Sequence, residues 1–241
     1  MCGRYTVTAD AERLAERFGI DVPEWHERRY NCAPGQSLPV VTDDELVASE
    51  WGFVPPDAGE AAQTYINARG ETVADRAAFA DAFQQRRCLV PADGFYVWRS
   101  EGEERVPYRV AFPDERLFAM AGIYTTWTES TRQTGLAEFG DGGERTGTER
   151  RHAFAVVTAS APQWLRPYHH RADVLLAPPA ESAWIGGDVD AARRLLGTEL
   201  PSELTITEVS QRVNDPANDD PTVLDVDDSP TGDDDLTNHE L

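Results

Sequence analysis

Between residues 88 and 159 the chain carries five β-type runs and no helical period. Residues 88–90, 95–98, 107–112, 117–126 and 153–159 are rich in Val, Ile, Phe, Tyr and Thr, and Gly94, Gly102 and Pro113 punctuate them. Parallel neighbours need crossovers of a dozen or more residues, so closely spaced runs of this kind pair antiparallel. Residues 38–42 and 46–51, split by Asp43-Asp44, read as a further hairpin, and another turn is expected at 100–104. Helical signals are fewer. Thr8 or Asp10 can cap a helix through Phe18, with Leu14 and Phe18 four apart on one face and Gly19 as its stop. A second helix is expected over 74–86 with Phe79 and Phe83 buried, and a third over 189–196 before Gly197. Helices and strands do not alternate, which predicts an α+β fold: one domain on an antiparallel sheet or barrel with flanking helices. Residues 127–152, rich in Gly, Thr, Glu and Arg, have no apolar period and predict a long exposed loop.

The 241 residues, 40% of them hydrophobic and six of them Trp, suffice for a core. No apolar run approaches the ~18 residues of a membrane span, so no membrane partner is expected. The net charge of −21 is unusual in kind, because all 22 basic residues are arginine. An acidic surface without lysine reads as adaptation to concentrated salt, where the Debye length shrinks to about 3 Å, and in such a solvent net charge is a poor guide to partners. Residues 214–241 hold ten acids and no base. A domain over 2–214 and a disordered acidic tail over 215–241 are therefore expected, with truncation after Asn214 leaving function intact. The N-terminus lacks the basic flank and apolar stretch of a secretion signal, which predicts a cytoplasmic protein. The cysteines, at positions 2, 32 and 88, form no CxxC pair, so no metal site, disulfide framework or cofactor is expected. Cys32 and Cys88 lie in apolar contexts and read as packing residues, as do Trp51 and Trp98.

Cys2 is the sharpest chemical feature. Removal of Met1 would expose an α-amine, with an ordinary pKa near ~8, beside a thiol near ~8.5. Such an aminothiol condenses with an aldehyde to an imine, and the thiol then closes a five-membered thiazolidine. The same cysteine could instead attack an amide with its own amine as base, as in N-terminal-nucleophile hydrolases of the glutamine amidotransferase type, which also begin with Cys-Gly.

Further segments accompany it: Tyr30-Asn31-Cys32-Ala33-Pro34-Gly35, Trp51-Gly52-Phe53-Val54-Pro55, Ile66-Asn67-Ala68-Arg69-Gly70-Glu71-Thr72, Arg86-Arg87-Cys88-Leu89-Val90-Pro91-Ala92-Asp93-Gly94-Phe95-Tyr96-Val97-Trp98, Val156-Val157-Thr158, His169-His170-Arg171 and Val209-Ser210-Gln211-Arg212-Val213-Asn214. In this order, over residues 2–214, the set resembles the SOS-response-associated peptidase (SRAP) family, whose members shield abasic sites in single-stranded DNA. The resemblance implies that Cys2 is the nucleophile that forms a thiazolidine with the ring-opened abasic sugar. It implies that Asn67 positions the amine and sugar, and that His169 assists ring opening and proton transfer. It also implies that Arg4, Arg69 and Arg171 hold flanking phosphates, a task suited to guanidinium forks, and that Pro34 packs against the DNA bend. A monomer that binds single-stranded DNA with abasic sites is the expected form. Of the two adjacent histidines, His170 is expected to face solvent. Arg86-Arg87 reads as complementing a helix dipole.

Three positions depart from the family. Its glutamate between the Phe-Tyr and Trp of the 95–98 motif, a general acid/base for imine formation and link reversal, is Val97 here. The proline after the His-x-Arg motif is Asp173, an acid with the potential to stand in for that glutamate. The tryptophan that follows Trp-Gly-x-x-Pro is replaced by Pro56-Asp57-Ala58. The aminothiol half of the chemistry is intact and the carboxylate half is absent, so covalent capture is expected to outlast turnover. A degenerate member that only binds single-stranded DNA is the other reading consistent with Val97.

Overall fold

The computed structural model describes residues 3–43, 45–55, 63–133 and 145–226. The elements run β1 (Tyr5–Val7), α1 (Ala11–Phe18), β2 (Arg29–Cys32), β3 (Ser37–Val41), β4 (Leu46–Trp51), β5 (Asn67–Arg69), α2 (Gly70–Val73), α3 (Ala77–Gln85) and β6 (Arg87–Ala92). There follow β7 (Gly94–Glu101), β8 (Glu104–Ala111), β9 (Phe118–Gln133), β10 (Arg145–Ser160), β11 (Arg171–Asp173), β12 (Leu175–Leu176), α4 (Pro178–Gly186), α5 (Val189–Leu195) and β13 (Thr205–Glu208), then two 3-10 turns, Gln211–Asn214 and Pro221–Leu224. No helix among the described residues is long and apolar enough to cross a membrane.

The strands form two sheets. One has the order β13-β8-β7-β1-β2 and is antiparallel throughout. In the other, β10, β4, β3, β6 and β9 pair in turn, and β9 pairs back to β10, which closes a five-stranded barrel. The antiparallel expectation holds for most of this barrel, but β10 runs parallel to β4 and to β5. Side chains alternate along each barrel strand, so one strand serves two cores. Cys88 and Val90 of β6, Phe118 and Met120 of β9, and Phe154 and Val156 of β10 pack with Tyr5, Val7 and Phe95 of the other sheet. The intervening Leu89, Ile123 and Val157 pack with Phe79, Phe83 and Trp184 of the helices.

Local signals account for most of these elements. Asp10 accepts from the Arg13 N–H at 3.0 Å and Gly19, at φ 66°, ends α1, as expected. The 38–51 hairpin and the turn at 100–104 form as expected, the latter through Gly102. The helix expected over 74–86 forms as the shorter α3: Arg76, extended at ψ 123°, separates it from the single turn of α2, which lies before the expected start, and Asp75 in the turn between them pairs with Arg193 on α5. α4 carries no sequence signal as regular as these. Its indole, Trp184, is buried and donates to the carbonyls of Cys88 and Gly122.

The loop expected over 127–152 is largely strand: β9 and β10 stay paired out to Gln133 and Arg145. Residues 134–144 lie outside the described residues. A ribbon of this kind needs backbone pairing and β-branched residues such as Thr but no apolar face, so it leaves no hydrophobic period to read.

The N-terminal strand is held from beneath by a buried carboxylate. Asp93, fully buried, accepts from Thr6 Oγ1 at 2.5 Å, Thr8 N at 2.6 Å and Thr8 Oγ1 at 2.7 Å. Arg109 donates to the Asp93 carboxylate at 3.2 Å and to its carbonyl at 3.0 Å, and pairs with Glu115 at 2.7 Å. Arg109 crosses over Gly94 so closely that a Cβ there would come within 2.3 Å of Nε. Breaking a buried pair strands its partner charge. Asp93→Ala is therefore expected to lower the unfolding free energy by about 3–5 kcal/mol, read as a lower urea midpoint; an unchanged midpoint would show that the network carries no stability.

Candidate functional site

The elements just described converge on a cavity of about 510 Å³. Gly3 and Arg4 line it from the N-terminal strand, Tyr96, Val97 and Trp98 from β7, and Arg105 from β8. His169, Arg171 and Ala172 line it where the turn after β10 enters β11, and Asn214 closes it from the first 3-10 turn. β1 pairs with β7 at Tyr5 and Phe95, and the Tyr96 N–H donates to the Arg4 carbonyl at 3.0 Å, so residues 3 and 4 are fixed against the β7 face. Every charged side chain among the described lining residues is an arginine or histidine. A chain of net charge −21 thus builds one locally cationic recess.

The structure brings together Arg4, His169 and Arg171 of the expected site. Cys2 lies outside the described residues, as do Pro56, Asp57 and Ala58. Asn67 opens β5 beside Val156 of β10, half-buried, and its neighbour Ile66 is pinned by the indole N–H of Trp51, 2.8 Å from the Ile66 carbonyl. Arg69 is exposed on the same strand. Pro34 is exposed in the turn between β2 and β3, where Gly35 adopts φ 82°. Asn67, Arg69 and Pro34 are not part of the cavity lining.

Two arginines are already engaged. Arg4 donates to Asn31 Oδ1 at 2.8 Å and to the carbonyls of Val213 at 2.5 Å and Asn214 at 3.2 Å. Burial lowers its guanidinium pKa from the ordinary value, with Asp215 opposing the shift. Arg171 donates through both Nη atoms to Glu71, at 2.6 and 2.9 Å, and to the Thr158 carbonyl at 2.5 Å. Hydrogen bonds from the Arg171 fork draw the Glu71 carboxyl below its usual range. The Arg171 N–H and carbonyl each lie 3.0 Å from His169 Nδ1. His170 is exposed, as expected, but its ring stacks on that of His169, with centroids 4.5 Å apart and 25° between planes.

Val97 is nearly fully buried and lines the cavity where the family pattern has its glutamate. Asp173 lines a neighbouring cavity with Glu71 and Ser160 and does not line this one. Trp51 is core, as expected, whereas Trp98 is half-buried, lines the cavity and donates to Asn214 Oδ1 at 2.8 Å. Tyr96, Trp98 and Asn214 belong to the sequence segments named above, but only the tertiary structure brings them together, β7 by pairing with β1 and Asn214 from the first 3-10 turn. Cys32 and Cys88 are buried packing residues, and burial pushes both thiols up. Arg87, also buried, donates to the carbonyls of Phe83, Gln84, Trp184, Ile185 and Gly187, so it caps the C-termini of α3 and α4 as the dipole reading expects. A larger cavity of about 820 Å³ opens between α1 and the start of α4, but its Arg17 and Arg116 are ion-paired to Glu181 and Asp114.

The segment expected to begin a disordered tail is packed. Asp219 ion-pairs with Arg29 and accepts from the N–H groups of Tyr30 and Asn31 at 2.6 and 2.8 Å. Asn31 donates to the carbonyls of Val213, Asp215 and Asn218, and Val223 is fully buried. Asp219 looks solvated in sequence because its partners lie some 190 residues away in β2, whereas Asp220 pairs locally with Arg212. Residues 227–241 lie outside the described residues.

The model of the family described as SOS response associated peptidase (SRAP) matches residues 1–216, and the chain belongs to that family. The match runs far past Cys2-Gly3, the two residues shared with amidotransferases. The chain is 31% identical over 199 residues to the abasic site processing protein YedK of Escherichia coli, covering 78% of this chain and 81% of that one. It is 29% identical to YoqW of Bacillus subtilis, covering 93% and 99%, and 26% identical to HMCES of Xenopus tropicalis, covering 92% and 77%. In fold it matches a protein from Bacteroides thetaiotaomicron with a TM-score of 0.76 at 21% identity, over 93% of this chain and 99% of that one.

Because Asp219 holds β2 and Arg4 holds the turn at 213–214, the acidic segment is part of the site's frame. Truncation after Asn214 strands the Tyr30 and Asn31 donors and removes Val223. It is expected to cost about 3 kcal/mol or more in chemical denaturation, with Asp219→Ala costing about 1–3 kcal/mol; a truncation without effect would restore the expected domain boundary.

Proposed function

We propose that this protein captures abasic sites in single-stranded DNA by forming a thiazolidine between Cys2 and the ring-opened sugar. The observation that carries the reading is the cationic cavity that Gly3 opens into, beside Arg4 and His169. Cys2 directly precedes Gly3 in the chain, and consecutive Cα atoms lie about 3.8 Å apart, so we take this recess as the place where a processed N-terminus acts. The relatives' names, abasic site processing proteins, point to the same substrate.

In the proposed sequence His169 protonates the leaving ring oxygen while the anomeric hydroxyl gives up its proton to solvent, so the deoxyribose opens to its aldehyde with no net change in charge. The Cys2 α-amine adds to the aldehyde carbon, and loss of one water leaves an imine. The thiol sulfur then adds to the imine carbon while its proton passes to nitrogen, closing the ring with no oxidant or reductant. Asn67 orients amine and sugar, and Arg4, Arg69 and Arg171 act on the flanking strand, with Pro34 against its bend. The lining of apolar Val97 supplies no acid to protonate the thiazolidine, so we read the link as formed but slow to reverse.

Protein freed of Met1 is expected to give a heat-stable adduct with single-stranded DNA containing one abasic site, and none with the intact strand. Cys2→Ala and protein retaining Met1 are expected to give none; an adduct from Cys2→Ala would falsify the proposal. Val97→Glu is expected to raise the rate at which the adduct exchanges onto a second abasic strand, and an unchanged exchange rate would remove Val97 as the cause of slow reversal.

A further inference from the structure

We infer that Glu71 is a positioning residue for His169, acting through Arg171. Three links make the relay. Both carboxylate oxygens of Glu71 accept from the Arg171 fork, at 2.6 and 2.9 Å, the bidentate geometry that fixes a guanidinium in plane as well as in place. Thr158 on β10 takes the same side chain from behind, through its carbonyl at 2.5 Å and Oγ1 at 3.1 Å. The Arg171 side chain is only 10% exposed, so its position is set by the protein on every side that matters to β11. The backbone of this same residue then holds the imidazole: its N–H and its carbonyl oxygen both lie 3.0 Å from His169 Nδ1.

That pair of backbone groups serves both protonation states. A neutral ring accepts the Arg171 N–H at Nδ1 and carries its proton on Nε2, and an imidazolium donates from Nδ1 to the Arg171 carbonyl. The ring can therefore gain and lose a proton without turning, provided Arg171 stays where Glu71 and Thr158 hold it. Glu71 lies in the first turn of α2, directly after the β5 strand that bears Asn67, so the clamp also ties that segment to β11, which Arg171 opens. The carboxylate does not line the cavity, which makes its role one of orientation and leaves no direct proton transfer to assign to it.

The inference rests on the proposed capture of abasic sites for its consequence in rate, but its geometric content can be read without DNA. In full-length protein, the side-chain 15N shifts of His169 in wild type at neutral ring charge are expected to show an acceptor Nδ1 and a protonated Nε2. Glu71→Gln is expected to lose this pattern and to slow adduct formation by about tenfold to a hundredfold, with Glu71→Asp recovering part of both. Arg171→Lys, which keeps the charge and loses the fork, is expected to behave like Glu71→Gln. If Glu71→Gln fails to fold, Arg171→Lys alone decides. His169 shifts that are unchanged in a folded variant, or an adduct rate that is unchanged while the shifts move, would overturn the inference. A wild type that forms no adduct would instead overturn the capture reading, and the shift comparison would still decide the relay.

Discussion

The Asp93 carboxylate is the constraint on which the rest of this molecule depends. It is fully buried, and a charge in that position is tolerable only when its lone pairs are filled. Two threonines of the N-terminal segment and Arg109 fill them, so the charge that would be a liability becomes the tie between β1, β7 and β8. β1 is three residues long and could not hold its place by ladder bonds alone. Through it Gly3 and Arg4 acquire a defined position at the cavity.

The cavity is correspondingly a meeting of distant parts. Arg4 reaches the carbonyls at 213 and 214, Trp98 reaches Asn214, and Asp219 returns to β2. Each of these joins a group of the C-terminal segment to a partner on a remote strand or the N-terminal segment, so the acidic C-terminal segment completes the frame of a cationic recess. The arrangement separates two uses of charge. Acids outnumber bases across the chain, but the lining of this cavity selects arginine and histidine. Long-range steering of a polyanion is not what such a molecule offers, and a covalent link does not require it.

Much of the fold was legible where short-range physics decides it. A side-chain cap at Asp10 and a left-handed Gly19 bracket α1, and the 38–51 hairpin announces itself by two β-branched runs and a polar turn. Phe79 and Phe83 marked the buried face of α3 even though the break at Ala74 to Arg76 did not show. The β9–β10 ribbon was hidden because its stability comes from pairing between strands and not from a buried face. The docking of residues 215–226 was hidden because its partners, Arg29, Tyr30 and Asn31, are remote in sequence. Of the expected site residues, Arg4, His169 and Arg171 share a cavity, while Asn67, Arg69 and Pro34 lie outside its lining. Their division of labour was not legible, since nothing in a motif shows that Glu71 already occupies the Arg171 fork.

By itself the sequence determined the α+β class, the family, the cysteine at position 2 and the valine at position 97. These follow from residue type and order, which no folding alters. Only the tertiary structure decided that the barrel closes through β9 and β10, that Trp98 faces the cavity while Trp51 does not, and that an acidic stretch belongs to the body. Each of those depends on which remote group satisfies a buried donor, acceptor or apolar face, and such partners are chosen by the packing of the whole chain.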